Sequence, residues 1–140
     1  MTTNTVTSIG SVPWLESFSI GHDSIDDEHR DLIQSFNEFC VRAAEDPHDT
    51  GLRPAAHGLI AKVEAHFASE EAIFPLIGYR RRLTHMREHL AVGNSLHSLL
   101  LNDTHMAPVD AAVAGRLILV EHILRHDLAV KTWVLHAAGQ

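Results

Sequence analysis

Twelve histidines in 140 residues are the unusual feature of this chain, and their spacing decides what they can do. His85 and His89 lie four residues apart, in line with Val92, Leu96 and Leu99. On a helix that separation is about 40°, so both imidazoles face the side that the apolar residues bury. A lone histidine on such a face is ordinarily a hydrogen-bonded core residue, but two stacked there need a shared partner. His66 and Glu70 repeat the spacing on a stripe with Val63, Phe67, Ile73 and Phe74. A carboxylate buried on that side costs several kcal/mol if left unpaired. Imidazoles and a carboxylate turned toward one interior form the donor set of a metal centre.

A second carboxylate is harder to place. His122 and Asp127 are five apart, about 140° around a helix axis, and spacing alone separates them. Asp110, Glu121 and Arg125 mark the solvent side of their segment, while Leu119, Ile123 and Val130 centre the opposite arc. His122 and Asp127 flank that arc and could converge from its two edges. His126, four after His122, is the better second ligand by spacing and stays open as the rival. His29, between Ile25 and Ile33, adds one more inward imidazole. Five imidazoles and two carboxylates are too many donors for one tetrahedral zinc, so two ions are implied. Nitrogen-rich ligation, with carboxylates able to bridge two cations, favours a dinuclear iron site over magnesium or calcium.

Helices must carry these donors. Ser24 and Asp27 have the spacing of a capping box, and Ile25, His29, Leu32/Ile33, Phe36 and Phe39/Cys40 follow at helical period, which predicts a helix over about 24–44. Asp46 to Gly51 breaks the pattern, and a second helix starts near Pro54 and ends or kinks at Pro75 and Gly78. A third covers about 81–101. After a loop over 102–107, Pro108 suits a first helical turn and a long fourth helix runs from 109 to about 136. No segment alternates at period two. The expected fold is all-α: an antiparallel up-down-up-down four-helix bundle over about 24–136, with residues 1–21 as an N-terminal arm whose Trp14, Leu15 and Phe18 cover a core edge. The whole of 1–140 reads as a single domain.

Composition narrows the function. Hydrophobic residues at 45% and charged residues at 21% suit a folded globular chain. A net charge of −7 has the wrong sign for binding nucleic acid or anionic membranes. Cys40 is the single cysteine and cannot form an intrachain disulfide, which suits a reducing compartment. The first thirteen residues have no basic or apolar signal segment, and no stretch reaches the length of a membrane span. A soluble cytoplasmic protein, monomeric by default, is expected.

In four pieces the sequence resembles the hemerythrin family, and among its members the single-domain bacterial hemerythrins. They are Ile25-Asp26-Asp27-Glu28-His29 with Leu32; His66-Phe67-Ala68-Ser69-Glu70-Glu71; Gly78-Tyr79 with His85 and His89; and His122-Ile123 with Asp127. The resemblance runs from Trp14 to about Trp133. It implies that His85, His89 and His122 ligate one iron and His29 and His66 the other. Glu70 and Asp127 would bridge the pair together with an oxo or hydroxo group. One position would remain open on the iron held by His29 and His66, and His126 would be no ligand. The chain departs from the family where tryptophan, tyrosine and methionine are common, with Ile118, Lys62 and Phe74 in those places. No ligand is lost, but pocket size and access are affected.

The resemblance further implies reversible dioxygen binding, for storage, transport or delivery, and no enzymatic turnover. Leu32, Phe67, Ile118, Leu119 and Ile123 are the candidate apolar wall of the dioxygen pocket, and each also serves as ordinary core. Sensing of oxygen or nitric oxide, with an unidentified protein partner receiving the gas or a signal, and iron handling would use the same site. A di-iron oxidase of the ferritin-like kind needs Glu-x-x-His on two helices. Here that pattern occurs only at Glu45 to His48, across a proline-containing loop. The remaining histidines, His22, His48, His57, His97, His105 and His136, read as solvated.

Overall fold

The computed structural model describes residues 10–102 and 105–139; the part of the expected arm before Gly10, and part of the 102–107 loop, lie outside the described residues. Four helices make the bundle: α1 (Asp23–Glu45), α2 (Leu52–Ile73), α3 (Arg82–Leu100) and α4 (Pro108–His122). The chain then passes through a π turn (Ile123–Asp127) and a 3-10 turn (Leu128–Val130) into α5 (Lys131–Ala138). Helix α1 packs on α2 and α4, and α3 packs on the same two, so neighbours in sequence are neighbours in space. This is the up-down-up-down order. No strand occurs among the described residues, and none of their helices is long and apolar enough to cross a membrane.

Local chemistry sets the helix ends. The cap of α1 is His22, whose Nδ1 accepts from the Ile25 amide at 3.3 Å. The expected capping box at Ser24 is therefore corrected: Ser24 lies inside the helix, and Asp27 pairs with Arg30 at 3.0 Å instead. Asp23 and Asp26 in the first turn and Arg42 in the last complement the helix dipole. Helix α2 begins at Leu52, ahead of the expected start at Pro54, because Asp49 accepts from the Gly51 amide at 2.7 Å and from Arg42 Nε at 2.6 Å. Pro75 follows its end, and Gly78 turns the chain with φ 68°, a left-handed conformation that side chains disfavour. At Gly115 a Cβ would meet Leu96 and Phe36 at 3.4 Å, so the missing side chain lets α4 approach both α1 and α3.

The fourth helix is not the single long helix expected. The Leu128 amide bonds the Ile123 carbonyl, five residues back, and the 3-10 turn tightens the chain again before α5. This widened turn lies at the position of the awkward five-residue spacing.

The arm is fastened by polar groups the sequence did not disclose. Asn37 accepts from the Val12 amide at 3.0 Å and donates to its carbonyl at 2.8 Å. Buried Arg116 donates to Asn37 at 2.9 Å and to the Gly10 carbonyl at 3.3 Å. Buried Asp26 accepts from Ser19 Oγ at 2.5 Å and from the Ile20 amide at 2.9 Å. Between these anchors Glu16–Phe18 makes one 3-10 turn, Phe18 enters the core, and Trp14 packs edge-on against it. Leu15, expected to help cover the core, is exposed.

Two larger apolar clusters and a small one around Cys40, Ala43 and Ala112 fill the bundle. Phe36, Val63, Phe67, Leu96 and Leu119 belong to one, and Ile20, Ile25, Phe74, Tyr79 and Val130 to the other. The buried histidines touch both: His89 stacks on Phe67 at 3.9 Å between centroids, and His85 lies 5.0 Å from Phe74.

Candidate metal centre

Each bundle helix contributes to a polar interior. His29 comes from α1, His66 and Glu70 from α2, His85 and His89 from α3, and His122 from the last residue of α4. Asp127 ends the π turn. All seven are buried, with no more than 3% of any residue exposed. The sequence expected these seven to meet, and the structure brings them together in two overlapping groups. Glu70, His85, His89, His122 and Asp127 place one donor atom each within 4.8 Å of one another. His29, His66, Glu70 and Asp127 do the same. The two carboxylates belong to both groups.

The π turn accounts for Asp127. In an α-helix residues five apart diverge, whereas a turn closed by a five-residue hydrogen bond stacks them on nearly one side. The expected convergence from two edges of an arc is thus replaced by a local change of helix type. His122 Nε2 lies 3.0 Å from Asp127 Oδ1 as a result. His126 falls outside both groups, half in solvent, with Nε2 3.3 Å from Glu88.

Distances across the interior are short. His85 Nε2 is 2.8 Å from Asp127 Oδ1 and His29 Nε2 is 3.0 Å from Oδ2. Glu70 Oε1 lies 3.1 Å from His66 Nε2 and 3.2 Å from His89 Nε2. Yet Nε2 of His29, His66, His89 and His122, both Glu70 oxygens and Asp127 Oδ2 have no hydrogen-bond partner of proper geometry. Close contact without donor geometry is what results when several lone pairs aim at a common point. Two ligands about 2.1 Å from a cation and at right angles would be about 3.0 Å apart, close to these values. The residues fit bound metal ions.

Outer partners orient the rings. His66 Nδ1 meets Glu28 at 2.7 Å, His89 Nδ1 meets Glu71 at 2.7 Å, and His85 Nδ1 faces the Tyr79 hydroxyl at 3.4 Å. A ring nitrogen held this way leaves Nε2 free to ligate and fixes its direction. Glu28, Glu71 and Tyr79 adjoin or lie within the quoted motifs, but the partner helix was not predictable from spacing.

Charge is arranged to match. Burial disfavours the Asp127 carboxylate, but His122, His29 and His85 hold its pKa well below the ordinary range. Glu70, opposed by burial and by Asp127, is likewise lowered by His66 and His89. Burial also works against a charged His66, yet Glu70 and Glu28 push it up to about 9. His89 is raised against burial by Glu70 and Glu71. Burial lowers His126, and the neighbouring His122 and His85 add to that.

Leu32, Phe67, Leu119 and Ile123 are buried in one cluster, and half-buried Ile118 packs against it. The Phe67 ring stands among the imidazoles, 3.9 Å from His89, 5.4 Å from His122 and 6.0 Å from His66. Of the histidines expected to be solvated, His22 serves as a cap, and His97 pairs with Glu64 at 3.2 Å.

The chain is 34% identical over 84 residues to a bacteriohemerythrin of Clostridium acetobutylicum, a match covering 54% of this chain and 61% of that protein's length. It thus spans about three fifths of that relative. No solved structure matches it. The model of the hemerythrin HHE cation binding domain matches residues 20–134, which include every helix of the bundle and all seven buried donors. With a four-helix bundle closed around two overlapping sets of histidine and carboxylate donors, this chain belongs to the hemerythrin family.

Proposed function

We propose that this protein binds dioxygen reversibly at a di-iron centre, as a storage or delivery protein of the cytoplasm acting as a single domain rather than as an enzyme. His85, His89 and His122 would hold one ion, His29 and His66 the other, with Glu70 and Asp127 bridging. The observation that carries this reading is the inequality of the two donor groups, five residues against four, with both carboxylates shared. The smaller group leaves its ion with fewer protein ligands, and so with room for a small molecule. A bound di-iron pair supplies dioxygen with two electrons and takes them back on release.

The chain's own residues do the rest. Leu32, Phe67, Leu119 and Ile123 surround the centre with apolar side chains that exclude water, favouring release of the gas over loss of a reduced oxygen product. Glu28 and Glu71 hold the Nδ1 protons of His66 and His89, keeping those rings in the tautomer that ligates through Nε2. Glu45 and His48, the only Glu-x-x-His pair, are exposed at a bundle end, so no oxidase-type ligand set forms around them.

Metal content tests the ligand set. Protein produced with iron available should carry two irons per chain, His126→Ala should keep both, and Asp127→Ala should lose them. One ion per chain, mainly zinc, or the reverse result at residues 126 and 127, contradicts the assignment.

A further inference from the structure

All seven donors are buried, so an ion cannot reach them until part of the bundle opens. Two surface cavities come close, and they are built alike. One, of about 250 Å³ between α1 and α2, is lined by Glu28, Asp31, Lys62 and His66 among others. The other, of about 290 Å³ between α2 and α3, is lined by Glu64, Glu71, His89 and His97 among others. At the inner end of each, a half-exposed glutamate bonds the imidazole of a buried donor at 2.7 Å, Glu28 to His66 and Glu71 to His89. At the mouth of each, an exposed side-chain contact ties the two helices together. Lys62 Nζ reaches Asp31 Oδ2 and Ser35 Oγ at 3.0 Å, and His97 Nε2 reaches Glu64 Oε1 at 3.2 Å.

Building on the di-iron reading, we propose that these cavities are two separate ports for divalent cations, one serving each ion, with Lys62–Asp31 and His97–Glu64 as their latches. The chemistry selects a cation. Each cavity carries two carboxylates, and its glutamate offers a hard oxygen ligand on the outer, Nδ1 side of the histidine whose Nε2 takes the ion in the end. His66 and His89 line the two cavities, and their Nε2 atoms, unpartnered and buried, face Glu70 on the inner side of each ring. They belong to different donor groups, which assigns the α1–α2 port to the His29/His66 ion and the α2–α3 port to the ion of His85, His89 and His122. A latch that only holds two helices together changes how fast an ion enters and leaves by the same factor, so affinity stays constant.

The test is exchange of bound ferrous ion for isotopically labelled ferrous ion, under anaerobic conditions, in the loaded full-length protein. Lys62→Ala should speed exchange of half the bound iron by about two- to fivefold, the range expected when the exposed Lys62–Asp31 ion pair is removed from the closed state. His97→Ala should speed the other half, and the double variant all of it. Lys62→Arg should restore the slow rate, and occupancy should not change in any of them. Unchanged rates in both variants, one variant accelerating all the iron, or a fall in occupancy in step with faster exchange would overturn the ports. A wild-type protein that holds fewer than two ions would instead contradict the di-iron reading itself.

Discussion

Glu70 and Asp127 set the charge of the centre, because five imidazoles converge on two carboxylates in a buried space. In the metal-free protein those pairs stabilise the fold within a definite pH window. His66 is raised from 6.5 to about 9, so its contribution is full below 6.5 and is lost as pH rises through about 9. Glu70 and Asp127 are lowered from 4.5 and 3.8, so theirs is present above those values and lost as pH falls through the depressed ones. Metal-free protein should therefore melt at lower temperature at about pH 9 than at about pH 6. Bound ions require deprotonated imidazoles and gain affinity over the same interval, so the difference in Tm between loaded and metal-free protein should widen with pH. Calorimetry of both forms checks this. A difference that narrows toward pH 9 would mean that His66 is not a ligand.

The π turn is the element on which the second carboxylate depends. It amounts to one extra residue between His122 and Asp127, with α4 before it and a 3-10 turn leading into α5 after it. Deleting exposed Arg125, whose contact with Glu121 at 3.9 Å is worth little, should convert it to an α turn with the acid four after His122, and iron content should be retained. Deleting Val120 instead turns His122 by about 100° away from the interior and should abolish iron binding. Loss of iron in the Arg125 deletion would show that the π geometry itself is required. The same turn marks the limit of what the sequence disclosed. Helix number and order, and the inward faces of His66, Glu70, His85 and His89, were legible because apolar neighbours at helical period fix them. His122 and Asp127 were not legible by that rule, since a change of helix type leaves no periodic signal; the arc reading left His126 as a rival, and the resemblance decided for Asp127. Asp26, Asn37 and Arg116 were illegible for another reason. Their partners are the backbone and side chains of the arm, as many as 106 residues away along the chain.

Across the whole molecule, arm and bundle meet on one apolar cluster, the wall we propose keeps water from the centre. Val12 and Trp14 of the arm and Ile118 of α4 pack on the same cluster that holds Leu32, Phe67, Leu119 and Ile123. Ile118, half-buried, is smaller than the tryptophan common at this place in the family. Ile118→Trp should slow decay of the oxygenated spectrum, provided the larger ring fits without the roughly 1–3 kcal/mol cost of overpacking, which a parallel melting curve detects. Equal or faster decay in a stably folded variant would place control of access at Leu119 or Phe67. Reversible dioxygen binding by a di-iron pair is tested most directly by absorption spectra of the iron-loaded protein through repeated aeration and deoxygenation. Oxo-bridged di-iron bands should appear on aeration, vanish on deoxygenation and return in the next cycle. Bands that form once and persist after oxygen is removed, or no bands in protein carrying two irons, would contradict reversible binding.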